Sequence, residues 1–107
     1  MLSIDEFRKL ELRVGTIIAA APHPNADRLL VLQVDLGSEQ RQLVAGIRAH
    51  YDPTALVGQQ IIVVANLEPA MLRGVESQGM LLAASDAEGR LAIVTPAQFV
   101  ASGATVK

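Results

Sequence analysis

The sequence has no cysteine and no tryptophan, and phenylalanine and tyrosine together supply only three of its 107 residues. The absence of cysteine excludes disulfides, thiolate chemistry and zinc sites that use cysteine ligands. Because aromatic rings are scarce, the core must be aliphatic, and the abundant Val, Ile and Leu residues are typical of short strands. The length predicts a single domain spanning residues 1–107.

Positive charge is also in short supply. Nine Lys and Arg residues against eleven Asp and Glu residues leave a formal net charge of -2, so no global positive field attracts polyanions. Any nucleic-acid contact must therefore come from a local patch. The longest uninterrupted apolar runs, of which Ile61 to Ala65 is one, are far shorter than the ~20 residues that span a bilayer, and Asp5 and Glu6 do not suit a signal peptide. We therefore expect a soluble, cytoplasmic protein that makes no membrane contact.

The first twenty residues predict a short helix followed by a strand. Ser3 and Glu6 have the spacing of a capping box, and the helix that they start is expected to end near Glu11 with Phe7 and Leu10 turned inward. After the helix the pattern changes to the alternation of a strand. One face of this strand is expected to carry Val14, Thr16, Ile18 and Ala20, and the other Arg13, Gly15, Ile17 and Ala19.

The remainder of the chain predicts further short strands joined by turns. A second strand with Leu30, Leu32, Val34 and Leu36 on one face is expected to form a hairpin with a third strand over residues 41–47. A loop over residues 48–59 is expected next, with one helical turn at Pro53–Leu56. Three more strands are then expected, over Ile61–Ala65, Met80–Ala84 and Leu91–Val94. A loop over Pro69–Ser77 precedes the second of them, and a turn at Asp86–Gly89 precedes the third.

Two of these strands are apolar on both faces. Because a strand of this kind must be covered on both sides, Ile61–Ala65 and Met80–Ala84 are expected to lie centrally or against a partner. Five or more short strands with one convincing helix favour an all-β fold. At this length the pattern favours a five-stranded Greek-key barrel of the oligonucleotide/oligosaccharide-binding (OB) type, with a short N-terminal helix.

Arrangements of residues that carry catalysis are missing from the sequence. No serine lies in a nucleophile-elbow context, no phosphate-binding loop is present, and the carboxylates are scattered. His23 and His50 are isolated, and although His23 and Asp27 could ligate a metal, the intervening Pro24 and Asn25 are turn residues that favour a structural role. The sequence therefore favours a binding protein over an enzyme, with no cofactor and no metal.

The segment from Asn66 to Met80 has the residue types of a binding loop. Arg73 offers a planar fork of donors, Ser77 offers a compact hydroxyl, and Met80 offers an adaptable apolar surface for a base or a ribose. The alternative is an ordinary polar loop with Met80 in the core. Residues alone do not decide between the two.

Arginines give a second indication of ligand binding. Four of them, Arg28, Arg41, Arg48 and Arg73, could converge on the face of the second and third strands, where OB barrels bind ligands. The alternative pairs them with Asp27, Glu39, Asp52 and Glu76. Because aromatic rings for stacking are few, a folded RNA recognised by shape and backbone is a better candidate than a single strand.

Six segments occur in an order and spacing that are specific to one family. They are Leu12–Gly15, His23–Leu30, Val34–Gly37, Val44–Ile47, Asn66–Pro69 and Leu72–Leu81. Together they resemble the bacterial tRNA-binding domain family, which includes stand-alone tRNA-binding proteins and the C-terminal domain of methionyl-tRNA synthetases. The resemblance implies an OB barrel with extra C-terminal strands and a homodimer that binds the outside corner of tRNA. The second protomer would cover the C-terminal strands and Met80–Ala84.

The resemblance also implies site residues. It assigns RNA contact to Asn25, Arg28, Asn66, Arg73, Ser77 and Met80, to which the charge pattern adds Arg41. Two positions depart from the family pattern, since Ala45 stands where Ser is usual and Met71 where Lys is usual. We therefore expect tRNA binding that is weaker or more sensitive to salt than in a basic relative.

Two other functions remain open at this point. One is a peptide-binding dimer that resembles the export-associated chaperones of the same barrel type, which the acidic charge and Met71 favour. The other is a dimerisation appendage without RNA affinity. The start at Met1, directly before a capped helix, favours a free-standing protein over a domain appended to an aminoacyl-tRNA synthetase.

Overall fold

The computed structural model describes all 107 residues, and β-strands account for most of its regular structure. The elements are α1 (Ile4–Phe7), β1 (Leu12–Pro22), β2 (Leu30–Asp35), β3 (Gln40–Ala45), α2 (Pro53–Leu56), β4 (Gln60–Val64), β5 (Ala70–Leu72), β6 (Val75–Ser77), β7 (Met80–Leu81), β8 (Ala83–Ser85), β9 (Leu91–Ile93) and β10 (Thr105–Val106). Neither helix has the length and apolar character needed to cross a membrane.

Five antiparallel strands form a nearly closed barrel. Their hydrogen-bonded order is β3-β2-β1-β4-β7, and β10 pairs with the start of β1. Strands β5 and β6 form one separate hairpin, and β8 and β9 form another. This architecture confirms the predicted OB-type barrel with a short N-terminal helix and extra strands toward the C-terminus.

The core follows from the patterns of β2 and β4. Leu30, Leu32, Val34 and Leu36 have no exposed surface and form the centre of the main core, as the alternation predicts. All five residues of β4 are buried. One face of β4 joins the main core, and the other packs with Leu12, Val14 and side chains from the C-terminal segment. The two-sided coverage predicted for this strand is therefore confirmed, because residues 100–106 cover its outer face.

Strand β1 departs from simple alternation at a bulge. Its register with β2 shifts between Ile17 and Ala19. Ile17 belongs to the main core and Ala20 packs against it, whereas Ile18 is 40% exposed. The predicted division into two faces holds as far as Ile18 and is wrong beyond it, because a bulge inserts one extra residue and moves the following side chains to the opposite face.

Other departures concern short elements at the surface. The capping box of Ser3 and Glu6 forms, but α1 ends at Phe7 rather than near Glu11. Phe7 and Leu10 are exposed rather than turned inward, and no residue of this helix is buried. A four-residue helix with a cap and no packing has little to extend it.

The second half of the chain differs in two places. The predicted loop over residues 69–77 is the β5–β6 hairpin. The predicted strand over Met80–Ala84 is divided between β7 and β8, and Leu81 is its sole buried residue. Both differences arise because strands of two or three residues leave too short a pattern to read from the sequence.

A glycine in β1 brings the backbone close against the side chains of the core. Gly15 lies opposite Ile61, and a Cβ at this position would overlap Cγ1 of Val34 and lie 3.1 Å from Cδ2 of Leu36. Gly15→Ala is therefore expected to lower the free energy of unfolding by about 1–3 kcal/mol, the usual cost of overpacking a core. Urea titration measures this change.

A second glycine provides the matched control. A Cβ at Gly46 would meet only Cδ2 of Leu29, at the ordinary distance of 3.9 Å. Gly46→Ala should stay within about 0.5 kcal/mol of the parent. Equal stabilities of the two variants would contradict this account of the packing around β1.

Candidate nucleic-acid interface

The loop over residues 23–29, which joins β1 to β2, is folded around the imidazole of His23. This side chain is 3% exposed. Its Nδ1 accepts a hydrogen bond from the backbone N–H of Asn25 at 2.9 Å, and its Nε2 lies 2.9 Å from the carbonyl oxygen of Leu72. An amide can only donate and a carbonyl can only accept, so these two contacts assign the ring proton to Nε2. His23 thus has the structural role that its turn context predicts.

The tip of the β5–β6 hairpin lies against this loop. Arg73 and Gly74 join Leu72 to Val75, and both have positive φ, at 53° and 88°. Positive φ at both central residues defines a type I′ turn, in which Asn-Gly is the usual sequence. Arg73 is the one residue other than glycine with positive φ, a conformation that costs an L-residue about 1–2 kcal/mol.

Two guanidinium groups converge on the 23–29 loop. Nη2 of Arg73 donates to the carbonyl oxygen of Asn25 at 3.3 Å, and Nη1 of Arg48 donates to that of Ala26 at 3.4 Å. The backbone N–H of Arg48 also donates to the carbonyl of Arg28, within the loop itself. Arg28, Arg48 and Arg73 therefore gather around one loop, and we refer to them as the arginine cluster.

No carboxylate oxygen lies within 4.0 Å of the arginine cluster, whereas every other arginine has such a partner. The alternative pairing with Asp27, Asp52 and Glu76 is therefore not observed. Asp52 instead accepts hydrogen bonds from the backbone and hydroxyl of Thr54 at the start of α2, and these bonds hold the pKa of Asp52 below its usual value. Each cluster guanidinium keeps most of its five N–H donors free.

Arg41 lies away from the cluster. Its Nε donates to Glu39 at 2.5 Å, and this hydrogen bond is the main reason that the pKa of Glu39 lies below its usual value. Its Nη1 donates to the carbonyls of Ala65 and Gln78. Ala45, at the other end of β3, pairs with Leu30 next to the 23–29 loop. Arg41 lies four positions before Ala45 on this extended strand, so the two residues are about 13 Å apart. The charge of Arg41 is therefore balanced by Glu39, and its guanidinium group is hydrogen-bonded within the protein.

The side chain of Asn66 is used inside the protein. Its Oδ1 accepts from the backbone N–H of Glu11 at 2.8 Å, and its Nδ2 donates to the carbonyl of Lys9 at 2.6 Å. These two bonds attach the segment before β1 to the end of β4. Both polar groups of this side chain therefore have protein partners.

Ser77 is likewise occupied. Its hydroxyl, in a residue that is 4% exposed, accepts from the backbone N–H of Val44 at 3.0 Å and donates to the carbonyl of Gly79 at 2.9 Å. It thereby links β6 to β3. The structure thus brings Asn25, Arg28 and Arg73 together, and it gives Arg41, Asn66 and Ser77 internal partners.

Met80 is 49% exposed and not in the core. It lines an apolar groove of about 370 Å³ together with Val44, Ala45, Ile47 and Leu81. Ala45, where the family pattern has Ser, adds a methyl group to this groove. The groove lies at the end of β3 that leads into Arg48, so it adjoins the arginine cluster along the chain.

Sequence reasoning left Arg48 out of the candidate site residues, although it had grouped this arginine with Arg28, Arg41 and Arg73. The sequence offered one indication, its position at the end of the third strand. The structure adds the hydrogen bond to Ala26 and the absence of an acidic partner. Neither feature is visible in a pattern of residue types.

The barrel is of the OB class, and its loops carry exposed arginines beside an apolar groove. Residues 12–105 match the family described as "Putative tRNA binding domain", and the chain belongs to this family. It is 58% identical over 106 residues to the methionine–tRNA ligase of Thermococcus kodakarensis, a match that spans 99% of this chain and 14% of the ligase.

Two solved structures share the whole fold. A MetRS-related protein from Pyrococcus horikoshii has a TM-score of 0.94 and 36% identity, with 100% of this chain and 98% of that chain covered. The chaperone CsaA from Bacillus anthracis has a TM-score of 0.90 and 29% identity, with 100% and 99% covered. The same barrel therefore occurs in a MetRS-related protein and in a chaperone.

The turn at Arg73 yields a stability prediction. Asn tolerates positive φ and is favoured in type I′ turns, whereas Ala has the same steric conflict as Arg. Arg73→Asn should therefore be more stable than Arg73→Ala by about 1 kcal/mol, as measured by thermal unfolding of the two variants. Identical unfolding midpoints would show that residue 73 is not held in the left-handed region.

Proposed function

We propose that this chain is a non-catalytic tRNA-binding module, which as a homodimer binds the outer corner of folded tRNA through the phosphate backbone and its shape. The observation that supports this proposal best is the arginine cluster. Three arginines without acidic partners lie in or against one loop of an otherwise acidic protein. Guanidinium groups match phosphate oxygens with paired hydrogen bonds, so the cluster suits a polyphosphate backbone.

The remaining site residues have different proposed roles. Asn25 and Met80 are exposed beside the cluster and the groove, and we assign them direct contact with RNA. Arg41, Asn66 and Ser77 have internal partners, so we assign them the task of holding the contacting segments in place. A preformed loop lowers the conformational entropy lost on binding.

A larger protein could use such a module without any chemistry in the module itself. Attached to a catalytic domain, it would raise the local concentration of tRNA and add affinity through the linker alone. An aminoacyl-tRNA synthetase is the proposed partner in that arrangement. A free-standing form would bind tRNA by the same surface.

The homodimer is supported by the solvent-accessible surface of the chain, which is larger than expected for a monomer of its mass. The chain exposes 6737 Å², whereas a compact monomer of 11.4 kDa is expected to expose about 5,800 Å². The excess of roughly 900 Å² is close to the share that each partner buries in a standard interface. Val94 and Phe99 in the C-terminal part are exposed, at 40% and 74%, and we propose that the second protomer covers this part.

A tRNA titration tests the central proposal. Arg28→Ala, Arg48→Ala and Arg73→Ala should each weaken binding and reduce the slope of log affinity against log salt by about one. The parent slope should be roughly 2 to 3 in magnitude per protomer, because three phosphates are neutralised. Fluorescence anisotropy with labelled total tRNA at several salt concentrations measures both quantities.

Arg90 supplies the matched control for this titration. It is an exposed arginine on the β8–β9 hairpin that pairs with Asp86 at 2.6 Å and with Glu88 at 3.0 Å. Arg90→Ala removes the same charge from the chain and should leave tRNA affinity unchanged. A parent affinity that does not respond to salt, or equal losses in all four variants, would refute the proposed interface.

Mass determination in solution tests the dimer. Light scattering should give twice the chain mass of 11.4 kDa. Phe99→Ser should shift the population toward monomers, since it removes a large exposed apolar side chain from the proposed interface. A monomeric parent at micromolar concentration would contradict the homodimer while leaving the arginine cluster untouched.

A second function is favoured by a separate observation. The apolar groove beside Met80, together with the fold shared with the CsaA chaperone, suits an unfolded peptide with apolar side chains. Binding of this kind depends on apolar area and responds little to salt. A reduced, unfolded model protein that binds the parent and all three cluster variants equally would favour this function.

A further inference from the structure

We propose that His23 is a positioning residue of the arginine cluster: it clamps the 23–29 loop to the tip of the β5–β6 hairpin, so that Arg73 is held beside Arg28 and Arg48. This role rests on the proposed function. The contacts that support it form a closed circuit. Nε2 of His23 contacts Leu72, Leu72 is bonded to Arg73, Arg73 donates to Asn25, and Asn25 donates to Nδ1 of His23.

The ring is the strongest link in this circuit. Both of its hydrogen bonds measure 2.9 Å and lie on a residue that is 3% exposed. The contact from Arg73 to Asn25 is longer, at 3.3 Å, and lies at an exposed surface. A hydrogen bond sheltered from water contributes more to positioning than one that competes with solvent. His23 therefore holds the hairpin tip, and Arg73 follows from it.

Other contacts of the hairpin lie at its base. Gln42 donates to the carbonyl of Glu76, and Val44 donates to the hydroxyl of Ser77. Between Leu72 and Val75, the hydrogen bonds to the rest of the protein are those of the circuit itself. Without the imidazole, the base would stay attached to β3 while the tip and Arg73 could move away from the loop.

Two conservative variants test the two hydrogen bonds of the His23 ring one at a time. The Oδ1 atom of Asn can replace the Nδ1 acceptor, and the Nε2 atom of Gln can replace the Nε2 donor, but neither side chain supplies both. His23→Asn and His23→Gln are each expected to weaken tRNA binding by roughly tenfold, the scale of one charge-assisted hydrogen bond. Fluorescence anisotropy measures the affinities.

A double-mutant cycle shows whether His23 acts through Arg73. In an Arg73→Ala background, His23→Asn should cost less than about twofold, because the guanidinium that it positions is already gone. Tyr51→Phe is the stability control. It removes the hydroxyl that accepts from the N–H of Ile93 at 2.9 Å, and it should lower thermal stability without changing tRNA affinity.

A readout without tRNA tests the clamp separately. Nitrogen-15 NMR of the His23 ring should place its proton on Nε2, and in His23→Asn the Nε–H signal of Arg73 should show increased mobility. A parent that does not bind tRNA would overturn the proposed function. A proton on Nδ1, or an additive cycle with an unchanged Arg73 signal, would overturn the positioning role even if the parent binds tRNA well.

Discussion

The barrel is closed by a few side-chain and backbone hydrogen bonds rather than by a continuous ladder, and the geometry of the site depends on this closure. The backbone N–H of Gln42 donates to Oε1 of Gln78, and its carbonyl accepts from the N–H of Gln78 at 2.7 Å. The N–H of Val44 donates to the hydroxyl of Ser77. These bonds satisfy the free edge of β3, which would otherwise expose unpaired donors. They also set β6 against β3, and so carry the hairpin tip to the 23–29 loop.

An acidic chain can carry a cationic surface when its charges are segregated. Carboxylates pair with Arg8, Arg13, Arg41 and Arg90 at other parts of the molecule. The formal charge of -2 is a sum over the whole chain, whereas a phosphate responds to charges within about 8 Å at physiological salt. Near the 23–29 loop the three unpaired guanidinium groups outnumber Asp27. The negative net charge thus weakens the long-range attraction of a polyanion, but it does not prevent phosphate groups from binding to the arginines at short range.

The sequence predicted the fold where one residue pattern was long enough to act alone. Leu30 to Leu36 alternates with a period of two, Ile61 to Val64 is an uninterrupted apolar run, and the structure agrees with both patterns. The bulge between Ile17 and Ala19 was not predictable, because the extra residue is defined by pairing with β2 and not by residue type. The hairpin over residues 70–77 was missed because Arg-Gly is not a usual type I′ turn sequence.

The candidate site was harder to derive for a related physical reason. Residue type states which hydrogen bonds a side chain can make, but only the fold states which of them are already satisfied. Asn66 and Ser77 have the chemistry of RNA contacts and are both occupied by backbone groups. Arg73 is the reverse case. An unfavourable backbone conformation persists where the surroundings determine it, and here the partly buried hydrogen bond from His23 to Leu72 fixes the residue next to Leu72. The free energy spent on that turn leaves a guanidinium exposed beside two others, an arrangement that folding alone does not require.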